Sequence, residues 1–227
     1  GGSPYEFYGL QADGVYATQA EADKANLVNS SMQAYQAGDV RFIDQNNDGR
    51  IDIKDRISLG SAAPDYFGGF YTNFRYRHFA LSAEFAYSKG NKAYNAVRRT
   101  LESASSFSNQ SVAVSNRWSV EGQVTDMPRA TFGDAIGNNN FSSRWIEDAS
   151  YLRIKNITLS YNFDKPIWNF FRSGTIYVTG ENLLTATKYL GLDPEFAYSS
   201  SDNATQGFDY AKVMQPKSVK LGINLKF

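Results

Sequence analysis

Six residues that can offer oxygen ligands alternate through the twelve-residue stretch 44–55. They are Asp44, Asn46, Asp48, Arg50, Asp52 and Asp55, at positions one, three, five, seven, nine and twelve of the stretch. Calcium-binding loops use this spacing because alternate carboxylate and amide oxygens converge on one cation, while residue seven contributes its backbone carbonyl. Gly49, at position six, allows the sharp turn that such a loop needs. The pattern therefore predicts a structural Ca²⁺ site that pins a long loop.

Two features of this stretch leave a second interpretation open. Position twelve is Asp55, whose side chain is shorter than the bidentate glutamate of a sensor loop. The sequence also shows no pair of helices flanking the stretch. An acidic turn closed by hydrogen bonds to its own Asp and Asn side chains would have the same composition and would hold no metal.

The residue types that most catalytic sites require are scarce. The chain has no cysteine and one histidine, His78, which excludes disulfides, a Cys–His pair and a Cys- or His-rich zinc site. Glu84 and Glu181 are the candidates for a carboxylate pair of the glycosidase type. Both lie on the polar sides of predicted strands, where a surface or lumen-facing charge is the favoured interpretation. We therefore predict no catalytic residue and a protein that is not an enzyme.

The charge balance argues against nucleic acid as a partner. Lys and Arg number 23 and Asp and Glu number 23, so the formal net charge is 0. Nucleic-acid binding requires a basic surface. The sequence has no run of about 18 apolar residues, which excludes a membrane-spanning helix. Aromatic residues reach 15%, a fraction that suits either a packed core or the aromatic girdles of a membrane β-barrel.

Five segments have the alternation of apolar and polar residues that β-strands show. Their approximate bounds are 66–76, 79–89, 151–163, 174–184 and 217–227. The last one is the clearest, since every second residue from Val219 to Phe227 is apolar and those between are polar or glycine. In the third, the apolar parity changes near Asn156, which predicts a β-bulge. A tight turn at Arg77 and His78 joins the first two into a hairpin.

The connections between these strands alternate in length. The long ones are 12–65, 90–149 and 185–215, and the short ones are 77–78 and 164–173. Short helices are predicted inside the long connections, at 17–25 and 92–104. Outer-membrane barrels alternate long extracellular loops with short periplasmic turns, and strands of about ten residues suit a tilted bilayer crossing. We therefore predict an all-β fold in which antiparallel up-and-down strands form one arc of a large transmembrane β-barrel.

A set of short motifs extends in order along nearly the whole chain. Its segments are GDVRF (38–42) with the acidic stretch and Arg56, 60–64, 69–76 with 79–82, 90–95, 116–118, 128–130, IEDASYLRIKN (146–156), 181–183, YLGLDPE (189–195), 215–216 and the terminal strand. Together these segments resemble the C-terminal barrel portion of SusC/RagA-type TonB-dependent outer-membrane transporters.

This resemblance implies a barrel of about 22 strands filled by an N-terminal plug. It also implies localisation in the bacterial outer membrane, lipid around the wall, and uptake of an oligosaccharide or peptide. The implied partners are a SusD-like surface lipoprotein and TonB, the latter through an N-terminal part that this sequence lacks. We expect residues 1–227 to be the C-terminal portion of a longer receptor, with the strand ending at Phe227 acting as its assembly signal. The sequence does not indicate which substrate is taken up.

The main alternative is a soluble, calcium-stabilised β-sandwich that binds glycans. A sandwich would bury Leu221, Ile223 and Leu225 against a second sheet, whereas a barrel wall would expose them to lipid. An enzyme built on Glu84 and Glu181 is a third and weaker alternative. Several aromatic residues of the long loops fit either sugar stacking or loop packing. They are Trp118, Trp145, Tyr189, Phe196 and Tyr198.

Overall fold

The computed structural model describes residues 2, 5–163, 172–196 and 205–227. These residues form two compact units. The first, called the loop unit, comprises Gly1–Ala63, Lys92–Asp148 and Phe196–Lys212. The second, called the sheet unit, comprises Pro64–Asn91, Ala149–Glu195 and Val213–Phe227. Tyr198 and most of the predicted connection 164–173 lie outside the described residues.

Short and long strands dominate the described part of the chain. The strands are β1 (Glu6–Leu10), β2 (Ala12–Val15), β3 (Val28–Asn29), β4 (Val40–Phe42), β5 (Arg50–Ile51), β6 (Arg56–Ser61), β7 (Tyr66–Tyr76), β8 (Phe79–Lys89), β9 (Lys92–Asn95), β10 (Ile146–Asp148), β11 (Tyr151–Phe163), β12 (Ser173–Thr187), β13 (Phe208–Asp209) and β14 (Ser218–Lys226). The α-helices are α1 (Gln19–Ala25) and α2 (Ala96–Glu102). Within this part of the chain, no helix has the length and apolar character needed to cross a membrane.

The sheet unit is built on one five-stranded antiparallel sheet. Its strand order is β14-β12-β11-β8-β7, so β7 and β14 form the two edges and each pairs with a single strand. Strands β7, β8 and β11 have the bounds that the alternation predicts, because each apolar stripe continues to the end of its strand. Strand β12 runs three residues beyond its predicted end at 184, to Thr187.

A bulge interrupts the pairing of the central strand β11, as its change of parity predicts. The register shifts between Ile154 and Asn156 on both sides of β11, against β8 and against β12. Asn182 of β12, with φ of 51°, lies in the left-handed region at this point of the sheet. A bulge adds one residue to the strand. The apolar side chains therefore stay on the same face of the sheet before and after the bulge, although their spacing in the sequence changes from two residues to three there.

The sheet has one apolar and one polar face. Cross-strand partners place Phe74, Leu81, Leu159, Val178 and Leu221 in one row across all five strands. All five of these side chains are exposed, and Leu221 keeps 75% of its surface accessible. The face that carries this row is called the apolar face. In the described part of the sheet unit no second sheet covers it, which fits a barrel wall and not a sandwich.

The loop unit has a hydrophobic core of its own, although its residues fall in segments predicted as long loops. Short strand pairs, β1–β6, β2–β4 and β3–β5, and the three-stranded sheet β10-β9-β13 shape it. One buried cluster is centred on Tyr16, Val40 and Phe42. A second is centred on Phe7 and on Trp145, which is fully buried. The loops are therefore packed structure and not loose connections.

Helix α2 is shorter than the segment 92–104 that the sequence predicts. Residues Lys92–Asn95 pair as strand β9, with β10 on one side and β13 on the other. The side chain of Asn95 then accepts a hydrogen bond from the Arg98 N–H, which caps the helix and lets it begin at Ala96. Helix α1 lies within the predicted 17–25 and begins after its N-cap, Thr18.

Candidate functional site

The first half of the acidic stretch folds into a tight turn around Asp44. Its Oδ1 accepts the Asn47 N–H at 2.7 Å and its Oδ2 accepts the Gly49 N–H at 2.8 Å. Gly49 has φ of +80°, a conformation that glycine adopts without strain. The turn therefore has the backbone shape that the calcium-loop spacing requires. The Asp44 carboxylate stabilises this turn by accepting its two N–H groups.

The second half of the stretch is closed by Asp55, which is fully buried. Its Oδ1 accepts the Gln45 N–H at 2.9 Å and its Oδ2 accepts the Asp52 N–H at 2.8 Å. Asp52 in turn accepts the Lys54 N–H at 2.8 Å, so the two aspartates form a reciprocal cap on a single helical turn. Ile51, buried in the loop-unit core, anchors the stretch between its two halves.

The two remaining side-chain ligands of the pattern bond to each other at the surface. Asn46 Nδ2 donates to Asp48 Oδ2 at 2.9 Å. This hydrogen bond, with smaller help from the Arg50 N–H and the nearby Lys54 charge, holds the pKa of Asp48 below its usual value. Arg50 donates from its guanidinium to the Ser30 carbonyl at 2.7 Å.

The residue types and the turn of this stretch suit calcium, but its carboxylates are engaged with backbone N–H groups. Among the described residues, no three or more His, Cys, Asp or Glu side chains are grouped closely enough to hold a metal ion. Each carboxylate oxygen of Asp44 and Asp55 keeps a second lone pair that can still bind a cation. The prediction of a calcium site thus stays a prediction, beside the metal-free acidic turn.

The ends of the apolar face carry aromatic rings. At the short-turn end, Phe79 and Tyr161 lie with ring centroids 5.0 Å apart, next to Tyr76. At the opposite end, the rings of Tyr66 and Tyr87 are 6.4 Å apart. The rows between these two ends are apolar but mixed, with Leu81 beside Phe74 and with the stacked rings of Phe70 and Phe85. Aromatic belts on either side of an apolar band are the surface pattern of a strand wall that crosses a bilayer.

The polar face places Glu84 and Glu181 in one row but does not join them. Asn156 of the central strand pairs with Glu84 on one side and with Glu181 on the other, so the two carboxylates are separated by a strand. Glu181 accepts hydrogen bonds from Ser218 Oγ at 2.7 Å and from Lys220 Nζ at 2.6 Å. Its contacts are those of a cross-strand ion pair, and they favour the structural role over the catalytic one.

An ionic cluster that the sequence did not single out lies at the long-loop end of β11. Arg153, only 2% exposed, bonds through Nη2 to Asp193 and lies 3.0 Å from Glu195 through Nη1. Lys155 approaches Glu195 at 2.6 Å. Asp193 also accepts the N–H of Gln215 at 3.2 Å. Burial raises the pKa of Asp193, but the Arg153 hydrogen bond and the backbone N–H groups outweigh it and leave the pKa below its usual value.

The aromatic residues of the long loops are used mainly for packing. Trp145 and Tyr189 are buried, and the indole of Trp118 donates to the Ala17 carbonyl at 3.0 Å. Arg144 lies over the Trp145 ring at 4.6 Å, and burial lowers the pKa of this guanidinium to about 10. These contacts leave the buried rings no surface on which a sugar could stack.

Comparison with known proteins finds TonB-dependent receptors that are similar along nearly the whole chain. No family model matches the chain. TonB-dependent receptor P26 of Formosa agariphila is 31% identical over 226 residues, which cover 97% of this chain and 22% of that protein. SusC of Bacteroides thetaiotaomicron, a TonB-dependent receptor, is 26% identical over 245 residues, covering 100% of this chain and 22% of SusC. The chain is related to the SusC/RagA-type TonB-dependent receptors. It spans about a fifth of the length of these relatives.

Solved structures support the same fold. The RagAB peptide transporter matches with a TM-score of 0.74 and 24% identity, covering 100% of this chain and 23% of the matched chain. RagAB in its "open-open" state matches with a TM-score of 0.72. The five-stranded sheet therefore has the fold of part of a β-barrel wall. These similarities assign the chain to the bacterial outer membrane.

Proposed function

We propose that this chain forms part of the wall of a TonB-dependent nutrient importer. The observation that carries the proposal is the apolar face, which is exposed across five strands and bounded by aromatic rings at both ends. An exposed apolar surface of this extent requires a cover, and lipid covers the outside of an outer-membrane barrel. The relationship to TonB-dependent receptors along the whole chain supports the same function. In this role the chain carries no catalytic site.

The proposed partners follow from the related proteins. A SusD-like surface lipoprotein would contact the extracellular side, where the long connections of residues 12–65, 90–149 and 185–215 would lie. TonB would act from the periplasm through receptor parts that these residues do not include. The cargo would be an oligosaccharide or a peptide, and one solved neighbour is described as a peptide transporter. The compact core of the loop unit supports a fixed extracellular surface of the kind that a partner can recognise.

Gene deletion tests the import proposal. The bacterium that makes the full receptor should lose growth on one oligosaccharide or peptide source when the receptor gene is deleted, and regain it on complementation. Loss of TonB should give the same growth defect. A full receptor found in the soluble fraction, or a deletion strain that grows normally on every oligosaccharide and peptide tested, would contradict the proposal.

We also propose that residues 44–55 bind Ca²⁺ with the side chains of Asp44, Asn46, Asp48, Asp52 and Asp55 and the backbone carbonyl of Arg50. Support comes from the ligand spacing and from the turn that Asp44 and Gly49 form. The ion would neutralise carboxylates in the stretch and fix it against the loop-unit core. Extracellular calcium loops bind weakly, with Kd of about 10⁻⁴ to 10⁻³ M.

A further inference from the structure

Two phenylalanine rings lie side by side on the surface of the loop unit. Phe107 keeps 94% of its surface accessible, and Phe132 keeps 73%. Their ring centroids are 5.0 Å apart, with an angle of 37° between the ring planes. Single exposed apolar side chains are common on proteins, but adjacent aromatic rings that both stay exposed form a patch of the kind that marks a binding surface. These two residues are called the phenylalanine pair.

Backbone hydrogen bonds join the two segments that carry the phenylalanine pair. The Thr131 N–H donates to the Ala104 carbonyl at 3.2 Å, and the Gly133 N–H donates to the Ser105 carbonyl at 2.9 Å. Phe132 lies between these two donors, so its position relative to the other segment is fixed. The pair is therefore a preorganised surface, and a ligand would bind it with little loss of conformational entropy.

The surroundings of the phenylalanine pair carry no free charge. Residues 103–116, which include the first ring, contain serine, asparagine and glutamine but no Asp, Glu, Lys or Arg. The first charged residue after the second ring is Asp134. Its carboxylate accepts the N–H groups of Asn138 and Asn139 at 2.8 and 2.9 Å, so it is engaged within the loop unit. A charged ligand would find no counter-charge here, and the surface favours a neutral one.

Neutral hydroxyl and amide groups stand beside the rings. Ser108 and Asn109 directly follow Phe107 and are exposed, and within the described residues their side chains make no hydrogen bond. Both groups can donate and accept. A sugar needs this combination, because the C–H face of its ring packs on an aromatic ring while its hydroxyls form hydrogen bonds.

The size of the patch favours a small ligand over a protein. The two phenyl rings expose roughly 300–400 Å². Each partner in a stable protein interface contributes about 800 Å². One or two sugar rings would cover the phenylalanine pair, whereas a protein partner would need a larger apolar surface around it.

We propose that the phenylalanine pair binds a neutral oligosaccharide. Its sugar rings stack on the two phenyl rings, and its hydroxyls bond to the side chains of Ser108 and Asn109. The inference that this oligosaccharide is cargo deepens the proposed import function and rests on it. Binding of the sugar itself does not depend on import.

Calorimetry on the full purified receptor measures this binding, in a polyoxyethylene detergent because maltoside and glucoside detergents are themselves sugars. The probes are maltohexaose, cellohexaose, xylohexaose and mannohexaose, titrated separately. Phe107→Ser/Phe132→Ser should weaken binding of the best probe at least tenfold. Phe107→Tyr/Phe132→Tyr should keep it within threefold, since the ring faces remain. Equal binding by the serine double variant and the wild type, or no binding of any probe by the wild type, would overturn the proposal.

A matched control separates sugar binding from folding. Val124→Ser changes another exposed apolar residue of the loop unit and should leave binding unchanged. All these substitutions lie at exposed positions, so the melting temperatures of the variants should equal that of the wild type. A loss of binding that Val124→Ser shares with the serine double variant would contradict the assignment of the site.

Two further measurements address other ligands. Hexagalacturonate, an acidic hexaose, should bind at least tenfold more weakly than the best neutral probe, and equal binding would contradict a neutral ligand. Phe107→Cys should react with a maleimide in the receptor as isolated from the membrane with its bound partners; these 227 residues contain no other cysteine. A cysteine that stays unlabelled would show that another protein surface covers the pair, and it would overturn the proposal.

Uptake by whole cells tests whether the sugar is cargo. The serine double variant should import the best-bound hexaose at least fivefold more slowly than the wild type, and Val124→Ser should import it at the wild-type rate. Equal uptake by the serine double variant and the wild type would overturn the cargo assignment, while the calorimetric result would stand. Failure of the wild type to import any probe that it binds would contradict the import function and leave the binding site intact.

Discussion

Arg129 holds the fully buried carboxylate of Asp39 with two hydrogen bonds. Nε donates to Oδ1 at 2.8 Å and Nη2 donates to Oδ2 at 3.1 Å. Asn138 Nδ2 also donates to this carboxylate, at 3.1 Å, and Asn138 Oδ1 accepts the Val40 N–H. This network joins two distant parts of the chain, residues 39–40 and 129–138, and fixes the strand β4 that leads into the acidic stretch.

Arg129→Met should destabilise the loop unit by about 3 kcal/mol, because removing one partner leaves a buried charge without its counter-charge. This is the low end of the usual range, since the Arg129 side chain is 32% exposed. Hydrogen exchange of residues 38–42 in the full receptor measures the loss. Arg41→Met, which breaks an exposed pair with Asp13, is the control and should cost below about 1 kcal/mol. Equal effects of the two substitutions would refute this prediction.

Phe74→Arg should reduce the amount of receptor in the outer membrane several-fold. Phe74 lies in the middle row of the apolar face, where an arginine costs about 2–4 kcal/mol against lipid. Asn73→Arg is the matched control, since the neighbouring residue of the same strand faces the polar side and should assemble normally. Membrane fractionation and heat-modifiable gel mobility measure both. If Asn73→Arg fails and Phe74→Arg assembles, the two faces are assigned the wrong way round.

Calcium should stabilise the full receptor through residues 44–55. With a Kd of about 1 mM, 10 mM Ca²⁺ adds about 1.4 kcal/mol by mass action. A thermal melt in CaCl₂ against EGTA measures the shift, and Asp44→Asn should abolish it. Asp23→Asn, an acid of helix α1 outside the stretch, should keep the shift. If the melting temperature of the wild type is the same in CaCl₂ and in EGTA, the metal-free turn is supported.

Acid should loosen the loop that Arg153 holds through Asp193. The folded-state pKa of Asp193 lies below its unfolded value, so the unfolded chain binds the proton more readily. The stabilisation is therefore complete above the unfolded value of 3.8 and is lost as the pH falls through the depressed folded value. Protection of the Glu195 and Gln215 amides, which donate to Asp193, should fall at low pH. In Asp193→Asn this pH step should vanish, and its persistence would show that another group titrates.

The sheet could be predicted from sequence because its signal is local. A strand with one face in lipid or core and the other in water alternates at every residue, so β7 and β8 show their bounds directly, and β11 does so on either side of its bulge. The predicted end of β12 at 184 falls three residues short of Thr187, because the sheet is irregular at Asn182 and the alternation does not continue past it. Its last residues still pair with β11, as Thr187 does with Tyr151.

The loop unit and the ionic cluster could not be predicted in the same way. Asp39 meets Arg129, and Arg153 meets Asp193, across long separations in sequence, and no periodicity marks such contacts. The spacing of residues 44–55 did predict a sharp turn, since its cause is local. Whether that turn holds an ion depends on side-chain positions that spacing alone does not determine.

The two edge strands, β7 and β14, limit how this segment can be produced in the laboratory. Each has a row of backbone N–H and C=O groups with no strand beside it in the described sheet. Copies produced without the flanking receptor strands would therefore add to one another edge to edge, with a spacing of about 4.7 Å, and accumulate as cross-β aggregates. Soluble overproduction of this piece by itself is thus the wrong starting material, and refolding has to begin from the intact polypeptide in the presence of amphiphile.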